Sequence, residues 1–383
     1  MTGFPRGGRA ILALLAALPA GSLFGAILGA VLGATFGANL AAAETSSWAG
    51  RVDGPAAPIQ RKAPAAKPGA VKVIKTVPQA GDAQAPVSPP EKSSTYAKQP
   101  PPGDDAAYEA FDQGQYVTAL QLAVKGSERG EPQAHTLVGR IYADGLGTSK
   151  NSPLAAKWYA RGAELGDPEA MLAYGLMLAE GQGVDQDRVA AGRYFEAAAA
   201  KRHPLANYNL ALLFLKGDGK PENPHRALMH MRFAAEAGVV TAQYDLGTMY
   251  ATGQGTDANA FEAAKWIGKA AAAGNVEAQI DYAVMLFRGH GVPVDTKRGA
   301  EYFRQAAEKG AATAQNRLAR CYAHGAGVEQ SLVEAAKWNF IAKAGGIDDE
   351  TLDKILAKLS RADRTKAQAA AEQWRDRAMV GLE

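Results

Sequence analysis

The sequence predicts an all-α fold, a solenoid of helix–turn–helix repeats with a period of 36 residues, and three observations carry that prediction. Paired glycines recur at constant spacing from Gly145 to Gly327. Alanine and large apolar columns keep the same period, and inside each copy they are spaced as on one helix face. A column of capping residues marks the start of a second helix in every copy.

Taken in chain order, the first element is a leader. Arg6 and Arg9 precede a run from Ala10 to Ala43 without a charged side chain, and Ala41-Ala42-Ala43 closes it. A basic head, apolar middle and small-residue exit predict a signal peptide or an N-terminal membrane anchor over 1–43. Gly21, Gly25, Gly29, Gly33 and Gly37 recur every fourth residue, a seam against which another transmembrane helix could pack. Either outcome exports the chain beyond Glu44, to the periplasm or as an inner-membrane-anchored domain, and the membrane is met only through this segment if it stays uncleaved. Residues 44–103 are rich in Pro, Ala and Lys, from Pro55 to Pro102, and carry few large apolar residues. They predict a disordered linker, because too little apolar burial is available to offset the entropy of ordering.

Residues 104–130 read as a degenerate leading helical pair through Tyr108, Phe111, Tyr116, Ala119 and Leu120, since Ala119 lies one period before Ala155. Six full copies then occupy 131–346. Their first helix, helix A, carries Ala134, Ala170, Ala206, Ala242, Ala278 and Ala314, with Val138, Tyr174, Leu210, Leu246, Tyr282 and Leu318 four residues on. A small column stands next to these at Gly139, Gly175, Ala211, Gly247, Ala283 and Ala319. Helix A ends at the first glycine of each pair, where a left-handed residue needs no Cβ. The pairs are Gly145/Gly147, Gly181/Gly183, Gly217/Gly219, Gly253/Gly255, Gly289/Gly291 and Gly325/Gly327, all read as structural turn glycines.

Helix B starts after Asn151, Asp187, Asn223, Asn259, Asp295 and Ser331, each able to accept from an orphan N–H of the first turn. Its large residues Trp158, Tyr194, His230, Trp266, Tyr302 and Trp338 come three positions after small ones. Gly166, Gly238, Gly274, Gly310 and Gly346 stop it, while Arg202 breaks that column. Pro132, Pro168 and Pro204 open the next helix A, where a missing N–H does no harm. Two further amphipathic helices, Ile347 to Leu359 and Asp363 to Ala378, cap the array within 347–383.

The unit Ala242 to Gly255, with Glu262-Ala263-Ala264-Lys265-Trp266 and Ala270 to Gly274, resembles a Sel1-like repeat, a subclass of the tetratricopeptide-type α/α repeats. The resemblance implies a right-handed superhelix whose helices A line a concave surface that binds proteins. In exported bacterial members it implies regulation of envelope signalling, polysaccharide production or cell-wall processes. Disulfides staple the repeats of some exported relatives; this chain has Cys 1, at position 321, and cannot share them.

Nothing in the sequence predicts chemistry. A formal charge of +3 demands no nucleic-acid partner. Cys321 falls in an apolar column of helix A with Ile141, Met177, Leu213, Met249 and Met285. The histidines share no metal-ligand spacing, and a helix rather than a strand precedes every Gly-x-Gly, which argues against a phosphate loop. No catalytic residue, metal or cofactor is expected, and an envelope hydrolase is the weakest reading. The remaining candidate is the stripe of helix A that varies between copies: Thr136, Leu172, Tyr208, Tyr244, Ile280 and Asn316, then Arg140, Leu176, Leu212, Thr248, Val284 and Arg320. Positions i and i+4 share a side, and by the resemblance that side is the concave groove. It predicts a non-enzymatic scaffold holding a protein or peptide segment, with a cell-wall or exopolysaccharide glycan as the alternative ligand.

Overall fold

The computed structural model describes residues 105–380; the predicted leader, the linker and the last three residues lie outside them. The described residues form helices and no strand. In chain order these are α1 (Asp105–Asp112), α2 (Tyr116–Glu128), α3 (Pro132–Asp144), α4 (Ser152–Glu164), α5 (Pro168–Glu180), α6 (Arg188–Ala200), α7 (Pro204–Lys216) and α8 (Pro224–Glu236). Next come α9 (Val240–Thr252), α10 (Ala260–Ala272), α11 (Val276–Arg288), α12 (Thr296–Glu308), α13 (Ala312–His324), α14 (Leu332–Ala344), α15 (Glu350–Leu356) and α16 (Arg361–Val380). The chain divides into two compact units, residues 105–206 with 218–220, and residues 207–217 with 221–380. The boundary falls in α7.

From α3 to α14 every helix is 13 residues long, because each is bounded by a local stop that the period repeats. At the A-to-B turn the first glycine adopts a left-handed conformation, as at Gly145 (φ 74) and Gly289 (φ 69), and its N–H caps the helix. The capping column then performs as its chemistry predicts: Asn151, Asp187, Asn223, Asn259, Asp295 and Ser331 each accept a backbone N–H three residues on. The same residues also donate their own N–H to helix A, Asn151 to Tyr142 and Asn259 to Tyr250 at 2.8 Å, so one residue ties both helices of a pair.

The second glycine of each pair has a role that the first lacks, beside its place in the turn. Gly147, Gly183 and Gly219 are left-handed too, at φ 65, 70 and 76, yet none of them caps helix A. Each lies against the start of the preceding helix B. A Cβ at Gly147 would stand 2.9 Å from the Tyr116 Cβ at the start of α2. At Gly183 it would stand 2.3 Å from the Ser152 carbonyl carbon, at the start of α4, and at Gly219 2.3 Å from the Arg188 carbonyl oxygen, at the start of α6. Their other side is open, since Gly147 and Gly183 are exposed and Gly219 half-buried. The second glycine is therefore a contact between repeats as well as a turn residue.

The B-to-A turn is where Arg202 departs from glycine. Arg202 nevertheless takes the left-handed conformation, at φ 64, as Gly166 and Gly238 do. A side chain there costs about 1 kcal/mol. His203 then starts the next helix in place of an Asx cap, its Nδ1 accepting from the Ala206 N–H at 3.2 Å. Replacing Arg202 with Gly should therefore raise the melting temperature by one to a few degrees on the scale of about 0.5–1 kcal/mol. An unchanged or lower value in a thermal scan would show that this arginine is unstrained.

The core lies between helices A and B. The alanine column is buried throughout, and the small column of helix A receives a large residue of helix B. A Cβ at Gly139 would meet the Tyr159 ring at 2.8 Å, one at Gly175 the Phe195 ring at 2.6 Å, and one at Gly247 the Ile267 Cγ1 at 2.5 Å. The interlocking partners of this column are thus Tyr159, Phe195 and Ile267, one position beyond the aromatic column read from the sequence. Trp158 and Tyr194 of that column are only half-buried, whereas Phe195 is fully buried. In the larger unit, glutamines add rungs between repeats. Gln243, Gln279 and Gln315 donate through Nε2 to the carbonyls of Ala235, Ala271 and Ala307 on the preceding helix B. Cys321 is buried, and burial pushes its thiol up to about 12, so it packs as a small apolar group.

Candidate functional site

The helix A stripe is the candidate surface, and each unit holds its own part. In the smaller unit, Thr136 donates its hydroxyl to Asp167, whose carboxylate also accepts the Ala170 N–H as the N-cap of α5. Arg140 is exposed, lies 3.8 Å from Asp144 and sits over the Phe111 ring at 4.8 Å. Leu172 is buried and Leu176 half-buried. The structure thus leaves Arg140 and Leu176 as the reachable members here.

In the larger unit, Tyr208 and Leu212 are buried. The Tyr208 hydroxyl donates to Asp245 Oδ2 at 2.9 Å, and one repeat later Tyr244 donates to Asp281 Oδ2 at the same distance. These two rungs join successive helices A, so both tyrosines spend their hydroxyls inside the protein. Thr248 returns its hydroxyl to the Tyr244 carbonyl. Asn316 is buried and, with Arg320, donates to Asp349. Of the stripe read from the sequence, Tyr208, Leu212 and Asn316 are taken up by the packing, and Arg320 is paired with Asp349. Tyr244, Thr248, Ile280 and Val284 remain half-buried on α9 and α11 and reach the surface.

Sequence reasoning misses the aspartates because their partners lie 37 residues away, one more than the period. Their setting has a titration signature. Burial raises both carboxyls to about 6, against the hydrogen bonds from Tyr208 and Tyr244, which lower them. Each group therefore holds a proton in the folded chain at about pH 4–6 that an unfolded chain has released. Its contribution to stability is greatest at low pH and is lost as pH rises through about 6. Asp281→Asn removes one such group. Relative to that variant, the unmodified protein should gain several degrees of melting temperature between about pH 7.5 and pH 5; a gap independent of pH would contradict the assignment.

No group of three or more His, Cys, Asp and Glu side chains is placed to hold a metal among the described residues. No described helix is long and apolar enough to cross a membrane. His230 stacks on Phe214 at 5.8 Å and meets Asn207 through Nδ1, a packing role for the histidine that replaces an aromatic.

The Sel1 repeat profile matches residues 132–167, 168–203, 204–239, 240–275, 276–310 and 312–338. The chain belongs to the Sel1 repeat family. Among solved structures, that of a Sel1 repeat protein from Oxalobacter formigenes is 28% identical, with a TM-score of 0.55 over 64% of this chain and 98% of that one. The structure of c5321, a protective antigen present in uropathogenic Escherichia coli strains and displaying an SLR fold, is 26% identical. Its TM-score is 0.47 over 71% of this chain and 68% of that one. A search of curated proteins finds no match. Sel1 repeat proteins are generally non-catalytic scaffolds for protein–protein interaction.

Proposed function

We propose that this Sel1 repeat protein is an exported, non-enzymatic scaffold in the periplasm, an adaptor or regulator of envelope signalling or assembly that holds a segment of a partner protein on its helix A face. The observation that carries the reading is the exposure pattern on α9 and α11. Thr248, Ile280 and Val284 reach the surface while Leu246, Met249, Tyr282 and Met285 beside them are buried. A small patch in which Ile280 and Val284 stay half-buried with Thr248 is suited to an apolar contact at the centre of an interface. Export is supported by Arg6 and Arg9 ahead of the charge-free run that ends at Ala43.

Ile280→Asp tests the face. The variant should keep its melting temperature within a few degrees, because the side chain is already partly in water, and lose capture of the partner that the unmodified chain retains. Capture at full strength by a folded Ile280→Asp chain would overturn the reading. Binding of purified envelope polysaccharide instead of protein would transfer the face to a glycan.

A further inference from the structure

One cluster of charge in the larger unit is not absorbed by packing. Arg288 ends α11, and Arg317, Arg320 and His324 succeed one another at three and four residues along α13. Position 288 lies one period before 324, so equivalent ends of two consecutive helices A bring Arg288 beside Arg317 and Arg320, while burial and then the charge of Arg320 lower the His324 imidazole and leave it neutral. The carboxylate within their reach is Asp349, and its oxygens are taken. Oδ2 accepts from Arg320 Nε at 2.6 Å and Asn316 Nδ2 at 3.0 Å, and Oδ1 accepts the Leu352 N–H at 3.0 Å. Burial pushes Asp349 up, but those three hydrogen bonds outweigh it and hold the carboxyl below its ordinary range.

Arg288 and Arg317 have no ion pair, hydrogen bond or ring contact with any other described residue. Both are half-buried. Burial, and then the charges of Arg320 and Arg288, press on the Arg317 guanidinium. The Asp349 carboxylate offsets this only in part, and half-buried guanidinium groups that outnumber their counter-charge are unfavourable in the free protein. Their planar forks match a carboxylate with two parallel N–H donors.

We propose that Arg288 and Arg317 are the binding site for an acidic group of a protein segment, a glutamate or aspartate side chain or a terminal carboxylate, lying along α11 and α13. This rests on the helix A face being the interaction surface and adds what the partner carries there. Arg320 stays in place beside them, its charge balanced by Asp349. Val284, one turn before Arg288 on α11, offers an apolar contact next to the site. One rung away the sign reverses: Asp245, Asp281 and Glu277 lie on or beside the same stripe. A uniformly acidic polymer would be repelled there, whereas a peptide acidic at one end fits both regions.

The test is fluorescence anisotropy of the full chain with a fluorescein-labelled peptide ending in three glutamates and a free carboxylate. The same peptide with glutamines and an amidated end is the comparison. The acidic peptide should bind and the amidated one at least tenfold more weakly. Arg288→Gln with Arg317→Gln should weaken the acidic peptide at least tenfold while keeping or raising the melting temperature, because like charges are removed. Lys157→Gln with Lys358→Gln, equal in charge but on exposed positions, should change binding less than twofold. Equal losses in both double variants, no loss in the arginine variant, no preference between peptides, or tighter binding of polygalacturonate would each overturn the proposal. A lowered melting temperature of the arginine variant would do so too, since it would mean that these cations are already neutralised. If Ile280→Asp abolishes partner capture while the arginine variant still binds the acidic peptide fully, the face stands and the acidic preference falls. Acidic-peptide binding that survives Ile280→Asp would keep the arginine site and contradict the wider face.

Discussion

Gly291→Ala is expected to destabilise the protein by about 3–5 kcal/mol, at the upper end for a single methyl group. Two causes act together. The residue sits at φ 72, where a side chain costs about 1–2 kcal/mol. Its Cβ would also lie 2.0 Å from the Ala260 carbonyl oxygen and 2.5 Å from the carbonyl carbon. Those atoms are backbone at the start of α10, so the turn and the preceding helix must part rather than a side chain rotate. Gly310→Ala isolates the first cause. Gly310 has φ 91 but no atom within 4 Å of the added methyl, so about 1–2 kcal/mol is expected. Chemical denaturation of the two variants measures the difference; equal shifts in midpoint would contradict the close approach. The same contact recurs at Gly255 against Pro224 and at Gly327 against Thr296, at 2.2 and 2.0 Å, as it does at Gly183 and Gly219 in the smaller unit. The period of the second glycine is thus the period of repeat stacking.

The second large effect is in the smaller unit. Phe195 is fully buried, and Phe195→Ala should cost about 3–5 kcal/mol through lost burial and a residual cavity. Gly175→Ala alone should also destabilise, by about 1–2 kcal/mol, because the methyl meets the Phe195 ring at 2.6 Å and this outweighs the better helix propensity of alanine. In the Phe195→Ala background the ring is gone and only the propensity gain remains. The added alanine should then stabilise by about 0.5–1 kcal/mol. A reversal of sign between backgrounds is a coupling that independent sites cannot give. Additive effects would mean that Gly175 is not selected by the ring it faces.

These two contacts also show where sequence reading stops. The helix ends were legible residue by residue, because a left-handed glycine, an Asx cap and an N1 proline act within one turn of chain. Gly145, Asn151 and Pro132 therefore stand in the structure where their local chemistry puts them. The second glycine of each pair was legible as a column but not as a cause, since the atoms that exclude its Cβ belong to a helix about one repeat earlier. Gly147 with Tyr116 and Gly291 with Ala260 are examples, and no local signal joins either pair. The aromatic column turns inward only in part for a related reason: Trp266, Tyr302 and Trp338 are buried, whereas at Trp158 and Tyr194 the next residue is the buried one. Trp158 and Tyr194 are conspicuous by size, yet which of two adjacent large residues turns inward depends on how helix B rolls on helix A.

The candidate face was the least legible part. Periodicity places the stripe on one side of helix A, but variation between copies cannot separate a side chain that meets a partner from one that meets the next repeat. Tyr208 and Tyr244 look alike in sequence. The first is buried and the second reaches the surface, and both are engaged by an aspartate 37 residues on. Arg317 stands beside this stripe and was not singled out, because its significance lies in its neighbours: a paired Arg320, an unpaired Arg288 and a saturated Asp349.

In-cell photo-crosslinking from a probe at position 248, with matched probes at Lys265, which is exposed on a helix B, and at Gln84 in the segment read as a linker, tests the proposed role most directly. The account predicts a distinct protein adduct from position 248 that is absent from the two controls and is lost in an Ile280→Asp chain. Adducts from Gln84 alone, from Lys265 equally, or from position 248 undiminished by Ile280→Asp would contradict it.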